Sequence, residues 1–354
     1  MTTATPPVPG RIMPAEWDSR FDATLIAWPH HDTDWADMLD DVDRCYTDLT
    51  QALLRAGQKV VIATPEPERV KALLADDMAT GHLLVARCPT NDTWTRDYGP
   101  LTVEDTTDGS LSAVAYKFNG WGLKFPSDKD NLAFLSLVAD KALRAPVALR
   151  KRYVLEGGSI ESDGDGTILT TSECMLSVNR NGFITKEEVE RELAAGLGAT
   201  RVLWLDHGAL KGDDTDSHVD TLARLAPGDT ILYVKSYTPT DSHTPALERM
   251  EEQLKEFRTP DGNPYNLIGL PLPSPIHDDN GDRLPATYAN FLITPRAVVM
   301  PVYGQPRNDD MAAHMLSIAF PGHEIITVDC RALIRQHGSL HCATMQIPAS
   351  WLPI

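Results

Sequence analysis

Apolar side chains recur at helical spacing in several stretches of the chain, and each stretch ends at a glycine that precedes an apolar run. In residues 38–56, Val42, Leu49 and Leu53 share one helical face, and Gly57 then leads into K-V-V-I-A-T. The same order recurs at 67–80, 187–195, 244–258 and 309–319. An amphipathic helix buries its apolar face on a sheet, and glycine adopts the left-handed cap that lets the chain reverse. The pattern predicts an α/β fold of repeated helix–glycine–strand units.

Further apolar runs predict additional strands, some too close together for parallel pairing. The strand candidates are 112–118, 151–155, 167–171, 230–235, 291–294 and 297–301. The turns within 292–300 and between 151–155 and 167–171 are short, whereas parallel neighbours need a long crossover. We therefore predict mixed sheets of strand–strand–helix–strand modules in a single domain, residues 13–354, preceded by a flexible leader at 1–12. The chain contains no G-x-G-x-x-G after a strand and no phosphate-binding G-x-x-x-x-G-K-[ST], which are the fingerprints of nucleotide binding.

Composition limits the classes of partner. The 354 residues are 42% hydrophobic but contain no run of 18 apolar residues, so no membrane span is expected. Acidic residues outnumber basic ones by 50 to 32, and the net charge of −18 disfavours nucleic acid and anionic membranes as partners. Such a field attracts a cationic substrate, although solubility is the favoured explanation of the charge.

The cysteines indicate a reducing environment. They lie at 45, 88, 174, 330 and 342, form no C-x-x-C pair, and are odd in number. A disulfide framework or a structural zinc site is therefore not expected, and the cytoplasm is the expected compartment.

Two polar segments follow predicted strands and could bind a cation. Residues 91–100 read N-D-T-W-T-R-D-Y-G-P. Asp97 could bind a substrate or pair with Arg96, and Trp94 offers an aromatic face to a cation. Glu156 precedes two glycines, which allow a backbone to approach a ligand closely, although a solvated turn has the same pattern.

Two further segments carry a histidine and a cysteine. In residues 212–220, His218 and Asp220 are two apart and share a face if the chain is extended, so the carboxylate could hold the imidazole for proton transfer. A metal could bind such a pair, but no third histidine or cysteine lies nearby, and a solvated acidic loop is the plain alternative. Cys342 follows His341 among apolar residues; such a cysteine is more often an inert core residue than a nucleophile, and strand neighbours point to opposite faces.

Taken together, these residue types fit one chemistry. A guanidinium is planar with five N–H donors, and two carboxylates can hold its edges. Its carbon is a weak electrophile, so cleavage requires a strong nucleophile such as a thiolate. Asp97, Glu156, Asp220, His218 and Cys342 supply the carboxylates, a proton-transfer group and the thiol. The set predicts a cysteine-dependent hydrolase that releases ammonia from a guanidine.

The ordered motifs resemble those of the agmatine deiminases, in the bacterial agmatine/peptidylarginine deiminase branch of the guanidino-group-modifying superfamily. They are W-T-R-D-Y-G-P, L-E-G-G-S, D-D-T-D-S-H-V-D, Y-A-N-F and H-C-A-T-M-Q-I-P, and the resemblance runs from about Pro14 to Pro348. It implies the pentein fold, an α/β propeller of five pseudo-symmetric ββαβ-type modules around a central active-site channel. Two motifs depart from the family: H-G-S-L-H-C replaces the end of G-G-G-N-I-H-C at 337–342, and T-D-S-H replaces T-N-G-H at 215–218.

The resemblance also implies residue roles. It assigns four catalytic side chains: the nucleophile Cys342, the general acid/base His218, and the guanidinium-binding carboxylates Asp97 and Asp220. It places three side chains on the substrate, namely Glu156, Trp94 and Asp214. Agmatine would then be hydrolysed to N-carbamoylputrescine and ammonia through a thiouronium intermediate, in putrescine biosynthesis. No metal or organic cofactor is implied, and a cytoplasmic homodimer is expected.

Three alternatives stay open. The substrate could be peptidyl-arginine or another small guanidine. A non-catalytic guanidine- or polyamine-binding protein would keep the carboxylates but has no use for a thiolate. A cysteine–histidine amidotransferase or protease would need an oxyanion hole, and paired carboxylates would repel the oxyanion.

Overall fold

The computed structural model describes residues 10–353, and their strands form five small sheets. The strands are β1 (Arg11–Ile12), β2 (Ala23–Ala27), β3 (Lys59–Thr64), β4 (Leu83–Arg87), β5 (Leu101–Asp105), β6 (Leu111–Lys117), β7 (Val147–Val154), β8 (Ile160–Ser162), β9 (Thr167–Thr171), β10 (Arg201–Leu205), β11 (Ala223–Ala226), β12 (Thr230–Lys235), β13 (Asn266–Pro271), β14 (Leu292–Ile293), β15 (Ala297–Val302), β16 (Glu324–Asp329) and β17 (Met345–Ile347). Strands β2 and β9 are buried along their whole length, because both of their faces are covered.

The helices cover these sheets or form short turns between them. They are α1 (Leu39–Arg55), α2 (Pro67–Leu73), α3 (Ala75–Met78), α4 (Thr95–Tyr98), α5 (Gly120–Leu123), α6 (Asp130–Ala139), α7 (Ser172–Met175), α8 (Val178–Asn181), α9 (Lys186–Leu197), α10 (Thr244–Glu256) and α11 (Pro306–Ala319). Helix α1 buries Val42, Leu49 and Leu53, and each such side chain contributes about 1.5–3 kcal/mol of hydrophobic stabilisation. Within residues 10–353, no helix is both long enough and apolar enough to cross a bilayer.

One module repeats in every sheet. A strand pairs antiparallel with the next strand, and a helical connection then returns the chain to a parallel third strand. In the module β8–β9–α9–β10, Ile160 pairs with Thr170 antiparallel, and Leu203 pairs with Leu169 in parallel. The modules β5–β6–α6–β7, β11–β12–α10–β13 and β14–β15–α11–β16 follow the same order.

The fifth module joins the two ends of the described chain. Strand β17 pairs antiparallel with β2, with Met345 opposite Leu25, and α1 then leads to the parallel strand β3. An α/β propeller of five ββαβ modules, as expected from the resemblance, is confirmed.

Several local predictions need correction. The expected pairing of 151–155 with 167–171 is wrong, because β9 pairs with the unpredicted three-residue strand β8 while β7 pairs in parallel with β6. The helix expected over 67–80 is interrupted at Leu74. Most of the predicted leader lies outside the described residues, but Arg11 and Ile12 pair with Asp105 and Glu104, so regular structure begins before residue 13.

The predicted glycine stops follow the helices for a conformational reason. Gly57 and Gly198 have φ of +79° and +75°, a left-handed backbone that glycine adopts without steric cost. Gly196 lies inside α9 instead, which continues to Leu197. These turns let each helix fold back on its sheet. The irregular segments at the ends of the strands are not covered in this way and can carry the residues of a site.

Candidate active site

Three segments carry the predicted catalytic side chains and meet near Gly158. Asp97 lies on the short helix α4, His218 directly precedes the 3-10 turn Val219–Thr221, Asp220 lies within that turn, and Cys342 lies in the turn before β17. A Cβ atom built on Gly158 would lie 2.7 Å from His218 Nδ1, 2.8 Å from Asp97 Oδ1 and 3.0 Å from Asp220 Oδ2. Only glycine leaves room for the three side chains to converge there.

Asp97 is held by uncharged donors. Trp121 Nε1 donates to its Oδ2 at 2.8 Å, and the Gly158 backbone N–H donates to its Oδ1 at 3.0 Å. Its neighbour Arg96 turns away and donates to Gln346 Oε1 at 2.6 Å, with Glu16 Oε2 at 3.7 Å. The alternative in which Asp97 pairs with Arg96 is therefore not the observed arrangement. Burial raises the pKa of Asp97 to about 6, although the nearby His218 opposes the rise.

His218 is buried between two carboxylates. Its Nε2 lies 2.7 Å from Glu156 Oε2, and because an ionised carboxylate only accepts, Nε2 carries the hydrogen. Its Nδ1 lies 3.6 Å from Asp97 Oδ1 and has no hydrogen-bond partner within residues 10–353. Burial alone would lower the pKa of His218, but the charge of Asp97 and the bond to Glu156 raise it well above the usual value. The imidazole is thus held as a cation with one free N–H beside the cavity.

Glu156 lies behind His218 rather than on the cavity wall. It is 1% exposed and accepts from Arg180 Nε at 2.9 Å and Nη2 at 2.8 Å. Burial would raise the pKa of Glu156, but the hydrogen bond from His218 and the charge of Arg180 lower it. Arg180 Nη1 continues the chain of ion pairs to Asp216 at 2.5 Å. This arrangement orients and charges the histidine.

Asp220 contacts His341, which in turn contacts Glu16, and neither was predicted as a site residue. His341 Nδ1 lies 2.8 Å from Asp220 Oδ2, and His341 Nε2 lies 2.8 Å from Glu16 Oε2. Burial would raise the pKa of Asp220, but this hydrogen bond and the charges of His341 and His218 lower it. Asp220 Oδ1 is buried without a hydrogen-bond partner in the described chain. The site therefore contains an ionised oxygen that lacks a hydrogen-bond donor.

Cys342 contacts the same oxygen of Asp220 as His341 does. Its Sγ is 3.8 Å from Asp220 Oδ2, and its backbone N–H donates to Asn290 Oδ1 at 3.2 Å. His341 and Cys342 both contact Asp220 because residues 340–343 form a turn, so the rule that strand neighbours face opposite ways does not apply. Burial and the charges of Asp220 and Asp97 raise the pKa of Cys342 well above its usual value. The resting cysteine is a neutral thiol.

A cavity of about 150 Å³ leads from Cys342 to the surface. Its lining is aromatic and acidic: Asp34, Asp92, Trp94, Asp97, Trp121, Phe125, Asp213, Asp214, Thr215, Thr221, Gln336, His337, Gly338 and Cys342. The predicted substrate contacts Trp94 and Asp214 are both in this lining, and burial raises the pKa of Asp214. A narrow cation with an apolar shaft fits such a wall.

Two buried groups of side chains have the donor types of metal sites. They are Glu156, Cys174 and His218, and Glu16, Glu161 and His341. In each group a carboxylate already binds a buried guanidinium, since Arg180 binds Glu156 and Arg224 binds Glu16 and Glu161. The arginines neutralise the carboxylates, which explains how so many acidic groups are buried together.

Comparison with known proteins identifies the family of this chain. The sequence profile of the Porphyromonas-type peptidyl-arginine deiminases matches residues 12–348. An agmatine deiminase of Medicago truncatula is 33% identical, with 98% of each chain covered. A putative arginine deiminase structure from Porphyromonas gingivalis is 43% identical with a TM-score of 0.90, covering 97% of this chain and 100% of that one. A cysteine-to-serine variant of C. jejuni agmatine deiminase with substrate bound is 34% identical with a TM-score of 0.87 and 96% of each chain covered. The chain therefore belongs to the Porphyromonas-type peptidyl-arginine deiminase family.

Proposed function

We propose that this chain is an agmatine deiminase that hydrolyses agmatine to N-carbamoylputrescine and ammonia. The observation that supports this most is the convergence of Asp97, His218, Asp220 and Cys342 beside an acidic cavity, whose wall includes Asp97 and Cys342. The agmatine deiminases among its relatives, which match over nearly the whole chain, support the same substrate.

In the proposed complex, Asp97 and Asp220 grip the guanidinium. Asp220 Oδ1 has no protein partner, so a guanidinium N–H satisfies a buried acceptor and the site gains a charge-assisted hydrogen bond. The aliphatic chain of the substrate lies along Trp94, and its distal ammonium faces Asp214. The role of Glu156 is to position His218, since it contacts that imidazole and Arg180 instead of the cavity.

Substrate binding also activates the nucleophile. The incoming cation neutralises the carboxylates that hold the Cys342 pKa high, so the thiol loses its proton to solvent more readily. The thiolate attacks the guanidinium carbon, and imidazolium His218 gives its proton to one amino group, which leaves as ammonia. A cationic thiouronium remains on Cys342, and neutral His218 then takes a proton from water. The resulting hydroxide adds to the same carbon, and the thiolate leaves. The added oxygen then loses its proton, which restores the Cys342 thiol, and the ureido product forms.

Ammonia release from agmatine, free arginine and a blocked-arginine peptide tests this assignment. Agmatine should give the highest kcat/KM, because the cavity wall carries four carboxylates besides Asp97. Activity on the peptide alone would establish the second candidate, a peptidyl-arginine deiminase, which the matched family profile favours. Binding of agmatine without ammonia release by the wild-type chain would instead identify a guanidine-binding protein.

The cellular setting is proposed on the same basis. We place the reaction in putrescine biosynthesis, in the cytoplasm, and expect a homodimer that binds neither nucleic acid nor membrane. The net charge of −18 and five free buried cysteines agree with this setting. Light scattering measures the assembly, and fractionation of cells measures the compartment.

A further inference from the structure

Backbone strain marks two side chains on the cavity wall. Among non-glycine residues with a left-handed backbone in residues 10–353, only Trp121 and His337 also line the cavity. Such a conformation is costly for a residue with a Cβ atom and persists where the surrounding structure holds it. Trp121 uses its position to bind Asp97. His337, with a φ of +67°, has its imidazole on the same wall.

The imidazole of His337 is fixed in one orientation. Its Nδ1 lies 2.7 Å from the carbonyl oxygen of Gly212, and because that oxygen accepts, Nδ1 carries a hydrogen. Gly338 packs directly on Trp94, since a Cβ atom there would lie 2.4 Å from the indole ring. The backbone next to His337 is therefore packed against Trp94, and the hydrogen bond to Gly212 sets the orientation of the ring.

This orientation leaves Nε2 for a ligand. No side chain or backbone group within residues 10–353 forms a hydrogen bond with it. In the neutral ring with hydrogen on Nδ1, Nε2 is an acceptor. Asp213 and Asp214 line the same cavity as His337. His337 is exposed to solvent, whereas Cys342 is only 6% exposed, so the two residues mark the outer and the inner part of the cavity. Nε2 and the two carboxylates thus lie toward the open end, where the far end of a bound guanidine arrives.

We propose that His337 is a specificity-determining residue, which accepts a hydrogen bond from a primary ammonium at the distal end of the guanidine substrate. The inference rests on the proposed function and specifies how the substrate is chosen. An ammonium has three donors, and Asp214 and Nε2 can accept from it. Both oxygens of Asp213 already accept hydrogen bonds, from Thr215 Oγ1 at 2.6 Å and the Ser217 N–H at 2.7 Å, so Asp213 contributes mainly its negative charge. The carboxylate of free arginine would meet two acidic groups and a ring nitrogen that also presents a lone pair, so the wall selects against it.

Agmatine and butylguanidine, which lacks only the distal amine, separate this role from a general effect on the fold. His337→Gly should fold, because glycine adopts the left-handed backbone without strain. It should raise KM for agmatine about tenfold and leave kcat unchanged, while KM or Ki for butylguanidine stays the same. Lys141→Gly is the matched control, because Lys141 is exposed, has a φ of +61° and lies outside the cavity lining.

Each outcome decides the proposal. A selective loss of agmatine affinity supports it, whereas an equal change for both ligands, or no change for agmatine, overturns it. If the wild-type chain releases ammonia from no guanidine, the proposed enzymatic function fails separately. Calorimetric titration with agmatine and butylguanidine then still decides whether His337 binds the amine.

Discussion

Replacing Trp121 by phenylalanine tests how Asp97 is kept charged. The substitution removes the donor that lies 2.8 Å from Asp97 Oδ2 and leaves the Gly158 N–H at 3.0 Å from Oδ1. It keeps an aromatic ring against Phe118 and Phe125. Burial already raises the pKa of Asp97 to about 6. Because this value is close to neutral pH, the loss of one hydrogen bond to the carboxylate is enough to change its ionised fraction.

The size of the effect follows from the lost hydrogen bond. A hydrogen bond to a charged group contributes about 1.5–3 kcal/mol, and 1.36 kcal/mol corresponds to one pKa unit. Without the indole donor, the pKa of Asp97 should rise by about one to two units. A higher pKa keeps the carboxyl protonated, and therefore neutral, up to a higher pH. The pH below which guanidinium binding is lost should therefore be higher in the variant. At pH 7 the ionised fraction, and with it kcat/KM, should drop about two- to tenfold and recover in alkaline buffer.

The assay is kcat/KM for agmatine between about pH 5 and pH 9, which reports the ionisation of the free enzyme. Trp204→Phe serves as the control, because it removes a similar bond, from Nε1 to Glu190 Oε1 at 2.9 Å, outside the cavity lining. An acidic limb that stays at the wild-type position in Trp121→Phe would refute the reasoning. A fall in melting temperature shared with the control would then be the only effect of the substitution.

Three other predictions concern the catalytic side chains. Cys342→Ser should abolish ammonia release but retain agmatine binding by calorimetry, and unchanged turnover would exclude the proposed nucleophile. Asp97→Asn and Asp220→Asn should both lower kcat/KM, but thermal melts should separate them. Burial raises the pKa of Asp97, so its charge opposes folding as the pH rises, and Asp97→Asn should not lower Tm at pH 8. Despite burial, the bond to His341 lowers the pKa of Asp220, so Asp220→Asn should cost about 1.5–3 kcal/mol at neutral pH, and this cost should vanish in acid. Gly158→Ala would bring a methyl group to 2.7 Å from His218 Nδ1 and should lower kcat/KM on the order of 100-fold, while circular dichroism stays unchanged.

Long periodic elements are predictable from the sequence, whereas short ones depend on their partners. The pattern over 244–258 predicts α10 to within two residues of its end, and β12 is predicted with its observed bounds. Strand β8 has only three residues, too few to show a period, and its pairing with β9 depends on where the chain places it. The wrong partner for β9 follows from that missing strand.

The site divides in a similar way. Motifs identify the side chains that face the cavity, such as Asp97 and Cys342, because their neighbours in sequence are unusual. The residues that hold them come from distant segments: the hydrogen bond from His341 to Glu16 spans 325 positions. No local pattern marks Glu16 or Arg180 as a partner of the site. Asn290, which binds the backbone of Cys342, lies in the Y-A-N-F motif and could have been selected from it.

The pairing of β17 with β2 sets the order in which a working molecule appears during synthesis. Leu25 of β2 leaves the ribosome early, but Met345, its neighbour in the sheet, follows only after the other four sheets have been made. Cys342 emerges just ahead of that last strand. A nascent chain that lacks β17 therefore carries the acidic groups of the site before the proposed nucleophile is in place. Turnover of substrate should begin only after Cys342 and β17 have been translated and have packed on β2.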